Sequence, residues 1–281
     1  MALKTPVVDR IPTYPGRVIL TPVSGLANTY DLARADSPLE EGTPINKALF
    51  DQKAYALTSS VVVYVSHAGS DDTGDGSSAA PFATIQKAVD ALPKCLEGYT
   101  ATISIESGIY EERVVLSGFQ GGIVELGTAS KDVVVRGVQI NACSVIRVNV
   151  SITRSSTLGG TPMVVRNGSV VQLGKDIVVD GVSAGVSGIV VELGSNLTAI
   201  ADLFGMQKTT INNCVYNAVY AASGSSIHLV EVVGTNNGIG MRADGGSTIT
   251  YDARSLTATT ANITRSGGRI YSGAQSNIPA Y

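Results

Sequence analysis

The sequence predicts an all-β protein built as a β-solenoid, with three short strands in each turn. The first observation is composition, since the 281 residues include 34 Val and 21 Ile against 18 Leu, with 31 Gly and no Trp. β-Branched side chains suit a packed, pleated surface, whereas helical proteins rely on Leu, Ala, Glu and Lys. Charged residues make up 15% of the chain, against the ~25% usual in soluble domains. This composition excludes a helical bundle, a coiled coil and a disordered chain.

The second observation is a repeat of short β-branched runs that begins near residue 101. Lys131–Val138 recurs 44 residues later as Lys175–Val182, and Gly224–Ile227 recurs 22 residues later as Gly246–Ile249. Three further segments share an alternating apolar pattern between small residues: Gly122–Gly127, Ser169–Gly174 and Gly188–Gly194. A period near 22 residues that doubles to 44 is typical of a β-solenoid.

Residues 1–57 are predicted to form an extended, irregular segment outside the solenoid. Six of the ten prolines lie in the first 44 residues, and proline removes a backbone donor from sheet ladders. Thr43 and Pro44 suit the N-cap and the first position of a short helix over Ile45–Lys53. A segment with so few core residues is expected to be stabilised by a partner or by copies of itself.

Residues 58–100 are predicted to contain the first strand and a capping helix. Val61–Val65 has the composition of a buried strand, and a polar, glycine-rich loop follows it. Apolar residues then recur at helical spacing: Phe82, Ile85, Ala88, Val89 and Leu92. We expect this helix, residues 81–92, to cover the N-terminal end of the solenoid, where backbone and apolar surface are otherwise unpaired.

Residues 101–281 are predicted to form the parallel β-helix itself. Successive turns stack at ~4.8 Å, and the narrow interior favours Val and Ile over Phe and Trp. Asparagine tolerates a left-handed backbone and forms stacked amide ladders, so we expect it at the corners. The candidates are Asn141, Asn149, Asn167, Asn196, Asn212, Asn213, Asn236 and Asn237.

The strand–loop–helix of residues 63–89 resembles the N-terminal motif of pectin-lyase-like right-handed β-helices, in the versions found in bacteriophage tailspikes and tail fibres. Pro15–Val18 and Gly42–Asp51 resemble attachment segments of tail-fibre proteins, and Thr259–Ile270 fits such fibres. The resemblance implies a right-handed, homotrimeric, virion-attached protein whose N-terminal segment joins tail or baseplate proteins. It also implies that the β-helix meets a bacterial surface receptor. R-type bacteriocins reuse the same parts, so a phage-tail-like particle is equally consistent.

Other partner classes are disfavoured by the sequence. No apolar run reaches the ~18 residues of a membrane span, and no signal peptide is evident. The formal charge of −3, without basic clusters, disfavours a nucleic-acid binder. Residues 133–281 carry ten Lys and Arg against seven acidic residues, which favours either steering of an anionic glycopolymer or simple solvation. Cys95, Cys143 and Cys214 are interpreted as small buried hydrophobes rather than disulfides or zinc ligands.

The acidic loop Asp71–Gly76 is the candidate for a cation site, because clustered carboxylates suit Ca²⁺. The loop lacks the glutamate that an EF-hand carries at its twelfth position. The resemblance implies that it is the ordinary turn before the capping helix. No metal ligand and no cofactor is therefore assigned.

A glycosidase would need two carboxylates, ~5–5.5 Å apart if it retains the anomeric configuration or ~6.5–9.5 Å apart if it inverts it. Glu125, Gln172 and Glu192 occupy equivalent repeat positions, which indicates either an outward-facing column or a solvated strand face. No evident pair exists among the acids beyond residue 132: Asp176, Asp180, Glu192, Asp202, Glu231, Asp244 and Asp252. A lyase base such as His67 or His228 would need a group that neutralises a uronate, and no Asp cluster accompanies His228. No catalytic residue is assigned.

The sequence therefore predicts a phage or phage-tail-like tail fibre or tailspike, made in the bacterial cytoplasm and located on the virion tail. Its expected function is attachment of the particle to a surface glycopolymer or another receptor. Two alternatives stay open. One is a tailspike depolymerase, a glycoside hydrolase or lyase acting on host polysaccharide, and the other is a purely structural tail component.

Overall fold

The computed structural model describes residues 11–12, 18–22, 24, 30–34, 38–40, 56–128, 132–199 and 208–273. The chain separates into a smaller unit, Ala2–Ala54, and a larger unit, Tyr55–Tyr281. Within the described residues, no helix is long and apolar enough to cross a membrane.

The smaller unit contains short antiparallel strand pairs, which the expectation of an irregular segment did not include. They are β1 (Ile11–Pro12) with β4 (Pro38–Glu40), and β2 (Val18–Pro22) with β3 (Tyr30–Arg34). Prolines stand at the ends of these strands, where a missing backbone donor costs least. The predicted helix over Ile45–Lys53 and its Thr43–Pro44 start lie outside the described residues.

The larger unit is a β-solenoid of about 7 turns, compatible with a right-handed parallel β-helix. Its strands pair in parallel along three faces, which confirms three strands in each turn. Face A consists of β5 (Val61–Val65), β6 (Thr100–Ile105), β8 (Ile123–Leu126), β10 (Val145–Val148), β13 (Val170–Leu173), β16 (Asn196–Ala199), the first parts of β19 (Ser226–Asp244) and β20 (Thr248–Arg265), and β21 (Arg269–Ser272).

The other two faces are built in the same way from shorter strands. Face B consists of the first parts of β7 (Gly108–Ser117) and β9 (Val133–Asn141), then β11 (Ser151–Thr153), β14 (Ile177–Ala184), β17 (Lys208–Cys214) and the middle parts of β19 and β20. Face C consists of the second parts of β7 and β9, then β12 (Met163–Arg166), β15 (Ile189–Val191), β18 (Asn217–Ala221) and the last parts of β19 and β20.

The pairing register explains the sequence repeat. Val135 pairs with Ile152 and Ile152 with Val179, so the 44-residue displacement is two turns on face B. Ser226 pairs with Thr248, so the 22-residue displacement is one turn on face A. The third copy, Gly188–Gly194, is different because its strand lies on face C, and its alignment with Gly122–Gly127 and Ser169–Gly174 was wrong.

The interior is a stack of small aliphatic side chains. On face A, one inward column pairs residue with residue through five turns, and no member is more than 2% exposed. Its members are Ile103, Leu126, Val148, Leu173 and Ala199. Complete burial of a Val or Leu side chain contributes about 1.5–3 kcal/mol to stability, which is why β-branched residues dominate the composition.

A ladder of buried serines runs through the corner that precedes face A. The backbone N–H of Ser169 donates to Ser195 Oγ at 3.2 Å, that of Ser195 to Ser225 Oγ at 3.2 Å, and that of Ser225 to Ser247 Oγ at 3.1 Å. All four serines are at most 2% exposed. The hydroxyls satisfy backbone donors that turn away from the strand ladders, and an unsatisfied buried donor is costly.

Asparagines form part of the corner ladders that the sequence predicts. Asn167 Nδ2 donates to Asn141 Oδ1 at 2.5 Å, and Asn236 Nδ2 donates to Asn213 Oδ1 at 3.2 Å. Asn167, Asn213 and Asn236 have φ between 56° and 60°, the left-handed region that asparagine tolerates. Asn196 is the first residue of its strand, and its Oδ1 accepts the hydroxyl of Ser226 on the next turn.

The capping helix α1 spans Ile85–Ala91 and buries Ile85, Ala88 and Val89 against the first strands. It is the single helix of the described residues. It begins later than the predicted residue 81 because Phe82 pairs with Val65 as an isolated bridge.

Polar side chains fix the start of α1. Thr84 is the N-cap, and its hydroxyl accepts the N–H of Lys87 at 3.2 Å. The Glu112 carboxylate accepts the N–H groups of Ile85 and Gln86, both at 2.8 Å. A carboxylate at this position satisfies free donors and complements the helix dipole, so α1 is attached to β7 of the solenoid.

The first prediction concerns the serine ladder. We expect Ser195→Ala to lower the free energy of unfolding by about 1–3 kcal/mol, because the Ser169 N–H loses its buried acceptor. Urea unfolding followed by circular dichroism measures the change. Ser156→Ala, at an exposed loop position, is the control and should lie within about 0.5 kcal/mol of the parent. Equal stability of the two variants would show that the ladder does not stabilise the fold.

Candidate functional site

The acidic loop before α1 uses its carboxylates within the protein. Asp71 Oδ1 accepts the N–H groups of Ala83 at 2.8 Å and Thr84 at 3.0 Å, and Asp71 Oδ2 accepts the Thr84 hydroxyl at 2.6 Å. Asp75 Oδ1 accepts the N–H of Ser77 at 2.8 Å. These bonds tie the loop to the start of α1, as expected of the turn before the capping helix.

The pKa of Asp71 reflects these bonds. Partial burial raises the pKa of the carboxyl group, but the hydrogen bonds from Thr84 and Ala83 and the charge of Lys87 outweigh it, so the pKa is lowered. The charged form is therefore the one that the folded loop stabilises.

Face A carries a hydrogen-bonded ladder of outward side chains along one column. Thr102 Oγ1 donates to Glu125 Oε2, Arg147 Nη1 donates to Glu125 Oε1, and Arg147 Nε donates to Gln172 Oε1, each at 2.9 Å. Glu125 and Gln172 thus lie in one outward column, as their repeat positions predict, with Arg147 between them. A single arginine satisfies the carboxylate and the amide, which leaves no carboxylate pair on this part of the face.

Toward the C-terminal turns, the same outward column of face A continues with hydroxyl and aromatic side chains. Thr198, His228, Thr250 and Tyr271 pair in register on four successive strands. His228 Nδ1 lies 2.9 Å from Thr250 Oγ1, and its Nε2 lies 3.8 Å from Asp252 Oδ2. The column displays hydrogen-bonding groups at the interstrand spacing of ~4.8 Å.

Face B differs because its central outward column is uncharged along its whole described length, although outward positions on either side carry Lys208 paired with Glu231 and Asp180 paired with Asn212. The members of the central column are Ile109, Val134, Ser151, Val178, Thr210, Val233 and Ser255. Carboxylates, guanidinium groups and amides are absent from this column, so it offers less hydrogen bonding than face A.

Face C brings together charged groups that the sequence did not pair. Arg166 Nε forms an ion pair with Glu192 Oε1. Two turns further along the same column, Arg242 Nε donates to Asp244 Oδ2 at 2.9 Å, and the Tyr220 hydroxyl donates to the same oxygen at 3.3 Å. Glu192 and Asp244 are 24% and 16% exposed in their side chains, so both carboxylates are held at the surface of one face.

Ala222 separates the two carboxylates of face C. The register places Glu192, Ala222 and Asp244 one above another, because Val191, Ala221 and Ala243 pair in sequence. Two interstrand steps correspond to about 9–10 Å between the backbones, and the Tyr220 hydroxyl lies beside Asp244. Asp244 Oδ1 is buried without a hydrogen-bond partner among the described residues.

Tyr220 and Arg242 set the electrostatics of this cluster. Burial, then the charge of Asp244, raise the pKa of Tyr220, and Arg242 opposes them in part. The hydrogen bond to Asp244 raises the pKa of Arg242, and its guanidinium lies 5.1 Å from the Tyr220 ring centroid. The phenol is therefore neutral at physiological pH and serves as a hydrogen-bond donor.

The position of Glu192 corrects the sequence interpretation. It was expected above Gln172 on face A, but it follows β15 on face C, where it meets Arg166. The sequence did not reveal its relation to Asp244 because the two turns between them differ in length. The first turn takes 30 residues, from Val191 to Ala221, and the second takes 22, from Ala221 to Ala243. The sequence signal for this relation is that an acidic residue follows a small apolar residue at the end of two strands of one face, Val191-Glu192 and Ala243-Asp244.

The remaining candidates are placed apart from one another. His67 stacks on Tyr110 with ring centroids 4.2 Å apart, beside the capping loop. Cys143 and Cys214 are buried as predicted, Cys95 is half-buried, and all three are free thiols. Asp202 lies outside the described residues. Within the described parts of the chain, no three His, Cys, Asp or Glu side chains are grouped for metal binding.

Comparisons with protein-family models, with curated proteins and with solved structures gave no match to this chain.

The second prediction concerns Asp71. We expect Asp71→Asn to lower the free energy of unfolding at pH 7 by about 1–2 kcal/mol, because hydrogen bonds to a charged acceptor are weakened. Because the pKa of Asp71 is lower in the folded than in the unfolded protein, the charged carboxylate stabilises the fold at pH values above the unfolded-state pKa. This stabilisation is lost as the pH falls through the folded-state pKa. The difference between parent and variant should therefore shrink in urea unfolding below the ordinary pKa of 3.8.

Asp72→Asn, at an exposed position of the same loop, is the matched control and should match the parent at every pH. Adding Ca²⁺ distinguishes the two interpretations of the loop. A rise in the parent's unfolding midpoint that Asp71→Asn abolishes would support the cation site and contradict the purely hydrogen-bonded turn.

Proposed function

We propose that this chain is the receptor-binding tail fibre or tailspike of a phage or phage-tail-like particle, and that it attaches the particle to a bacterial surface glycopolymer. The observation that carries the proposal is the outward polar column of face A, from Thr102 to Tyr271. The likeness of residues 63–89 to phage β-helix proteins supports it.

The physical argument is the match between a stacked scaffold and a repeating polymer. Each turn of face A adds an outward hydrogen-bonding side chain ~4.8 Å from the last, on a backbone fixed by parallel pairing. A polysaccharide repeats hydroxyl groups along its length, and an acidic polysaccharide repeats carboxyl groups as well. Many weak hydrogen bonds made by one rigid column add up to useful avidity.

The same proposal assigns the other parts of the chain. Residues 1–57 bind tail or baseplate proteins, residues 58–100 cap the solenoid, and residues 101–281 face the receptor. The protein acts on the virion tail as a homotrimer. Face B, whose central outward column is uncharged, is suited to contacts between copies rather than to a glycan.

A second candidate function, a polysaccharide hydrolase, is favoured by Glu192 and Asp244 on face C. Their separation of two interstrand steps, about 9–10 Å, corresponds to the upper end of the ~6.5–9.5 Å spacing of inverting glycosidases. The position between them in the same column carries the small side chain of Ala222. Both carboxylates are already engaged by arginine partners, Arg166 and Arg242, so attachment remains our first proposal.

The third prediction tests attachment. We expect Arg147→Met and His228→Phe each to weaken binding to intact host cells at least about tenfold, equivalent to ~1.4 kcal/mol, because each removes outward donors from face A. Binding is measured with labelled protein in competition with particles. Thr210→Val on face B is the matched control and should bind as the parent does.

Binding that both face A variants retain would contradict the role of face A. Failure of the parent protein to bind cells or compete with particles would leave the structural tail component as the better description.

The fourth prediction tests hydrolysis. If face C is catalytic, the parent releases new reducing ends from host polysaccharide with inverted anomeric configuration, since the carboxylates are too far apart for direct nucleophilic attack. Glu192→Gln and Asp244→Asn should each lower the rate at least about 100-fold while leaving cell binding unchanged. Thr250→Val on face A should leave the rate unchanged. Sustained release by both carboxylate variants would exclude this site.

A further inference from the structure

At the corner between faces B and C, two arginine side chains bind the backbone carbonyls of one loop. We call the B–C corner the loop 154–162, the segment 181–188 and the turn 215–216. Arg113 Nη2 donates to the carbonyl of Gly159 at 2.6 Å, and its Nη1 donates to that of Thr161 at 3.1 Å. Arg154 Nε donates to the carbonyl of Gly160 at 3.2 Å. Three consecutive carbonyls therefore bring two guanidinium groups together.

No carboxylate neutralises this arginine pair. Among the described residues, neither Arg113 nor Arg154 has an acidic oxygen within 4.0 Å. The neighbouring Arg136 differs, because Glu111 forms a bidentate ion pair with it. Glu112 is occupied by the N-terminus of α1.

The nearest acid along the corner, Asp180, is also occupied. Its Oδ1 accepts the N–H of Val182 at 2.7 Å, and both its oxygens accept Asn213 Nδ2 at 3.1 Å. Burial and the charge of Arg154 lower the pKa of Arg113, which agrees with an uncompensated pair. Like charges held together in this way favour an external anion.

An exposed aromatic ring lies further along the same corner. The backbone N–H of Arg154 donates to the Asp180 carbonyl at 2.9 Å, and that of Tyr216 donates to the Val186 carbonyl at 3.1 Å. Tyr216 therefore lies on the same corner, two turns further along the solenoid than Arg154. Tyr216 is 61% exposed, and its ring lies over Gly185. A Cβ placed on Gly185 would be 3.7 Å from the ring carbon that bears the hydroxyl.

We propose that the B–C corner binds an anionic glycopolymer, with a carboxylate or phosphate on Arg113 and Arg154 and a neighbouring sugar ring against Tyr216. Guanidinium groups pair with planar or tetrahedral anions through paired N–H donors. The tyrosine ring offers an apolar face with a polar edge, which suits the mixed surface of a sugar. This inference rests on the proposed function and deepens it by naming the chemical class of the polymer.

The fifth prediction tests this corner with defined polymers on one array. The probes are alginate and polygalacturonate as carboxylate polymers, a glycerol-phosphate teichoic acid as the phosphodiester polymer, and dextran as the neutral one. We expect the parent to bind at least one anionic polymer, to bind dextran at least about tenfold more weakly, and to lose affinity as salt rises. The polymer retained identifies the anion as carboxylate or phosphate.

Two variants and a control locate the binding. Arg154→Gln and Tyr216→Ala should each weaken binding to that polymer at least about tenfold, and Tyr216→Ala does not disturb the loop that Arg154 holds. Lys175→Gln removes one positive charge at an exposed turn and should bind as the parent does. Unchanged urea unfolding shows that all three variants are folded.

The outcomes separate this inference from the proposed function. Two outcomes overturn the corner site: equal affinity for dextran, or unaltered polymer binding by both corner variants. If cell binding still depends on face A, attachment stands. An absence of binding to every polymer on the array also overturns the anionic class. Absence of binding to both cells and polymers contradicts attachment itself, and the corner site with it.

Discussion

Parallel stacking at one fixed interstrand distance is the constraint on which the rest of this structure depends. Because each strand pairs with the strand one turn away, every inward side chain rests on an inward side chain of the same column. The column from Ile103 to Ala199 shows the consequence, since it accepts only aliphatic groups and excludes water. Ser169, Ser195 and Ser225 enter the interior as a repeating ladder. A ladder satisfies each buried group with the next one.

This constraint explains which features the sequence could predict. The interior column imposes β-branched composition and a period, so the solenoid, its three strands per turn and its capping helix follow from the residues. The site could not be derived in the same way, because turn length varies. Successive face A partners are separated by 22 residues from Ile123 to Val145, by 26 from Val170 to Asn196 and by 30 from Asn196 to Ser226. Glu192 follows Gln172 by 20 residues, whereas that turn takes 26 residues from Gln172 to Thr198, so the expected alignment put Glu192 on the wrong face.

The outward positions carry the chemical differences because stacking leaves them free. Three faces share one backbone and one interior, yet they display different groups. Face A presents a hydrogen-bonded column, face B an uncharged column, and face C two ion pairs with Tyr220. Each outward row is also a straight line, so a single substitution changes one step of it without disturbing the core. A new set of outward side chains can therefore be selected on one face while the fold is retained.

The corners store the conformational strain that straight faces avoid. Val182 and Ser183 have φ of 54° and 53°, a left-handed conformation that costs a β-branched residue about 1–3 kcal/mol. The strain coincides with a register shift between Asp180 and Ala184. The Asp180 carboxylate holds it in place through the Val182 N–H. Gly185, which follows this strained segment, lies beneath the exposed ring of Tyr216. The B–C corner therefore combines left-handed backbone, a register shift and an exposed aromatic side chain in one segment.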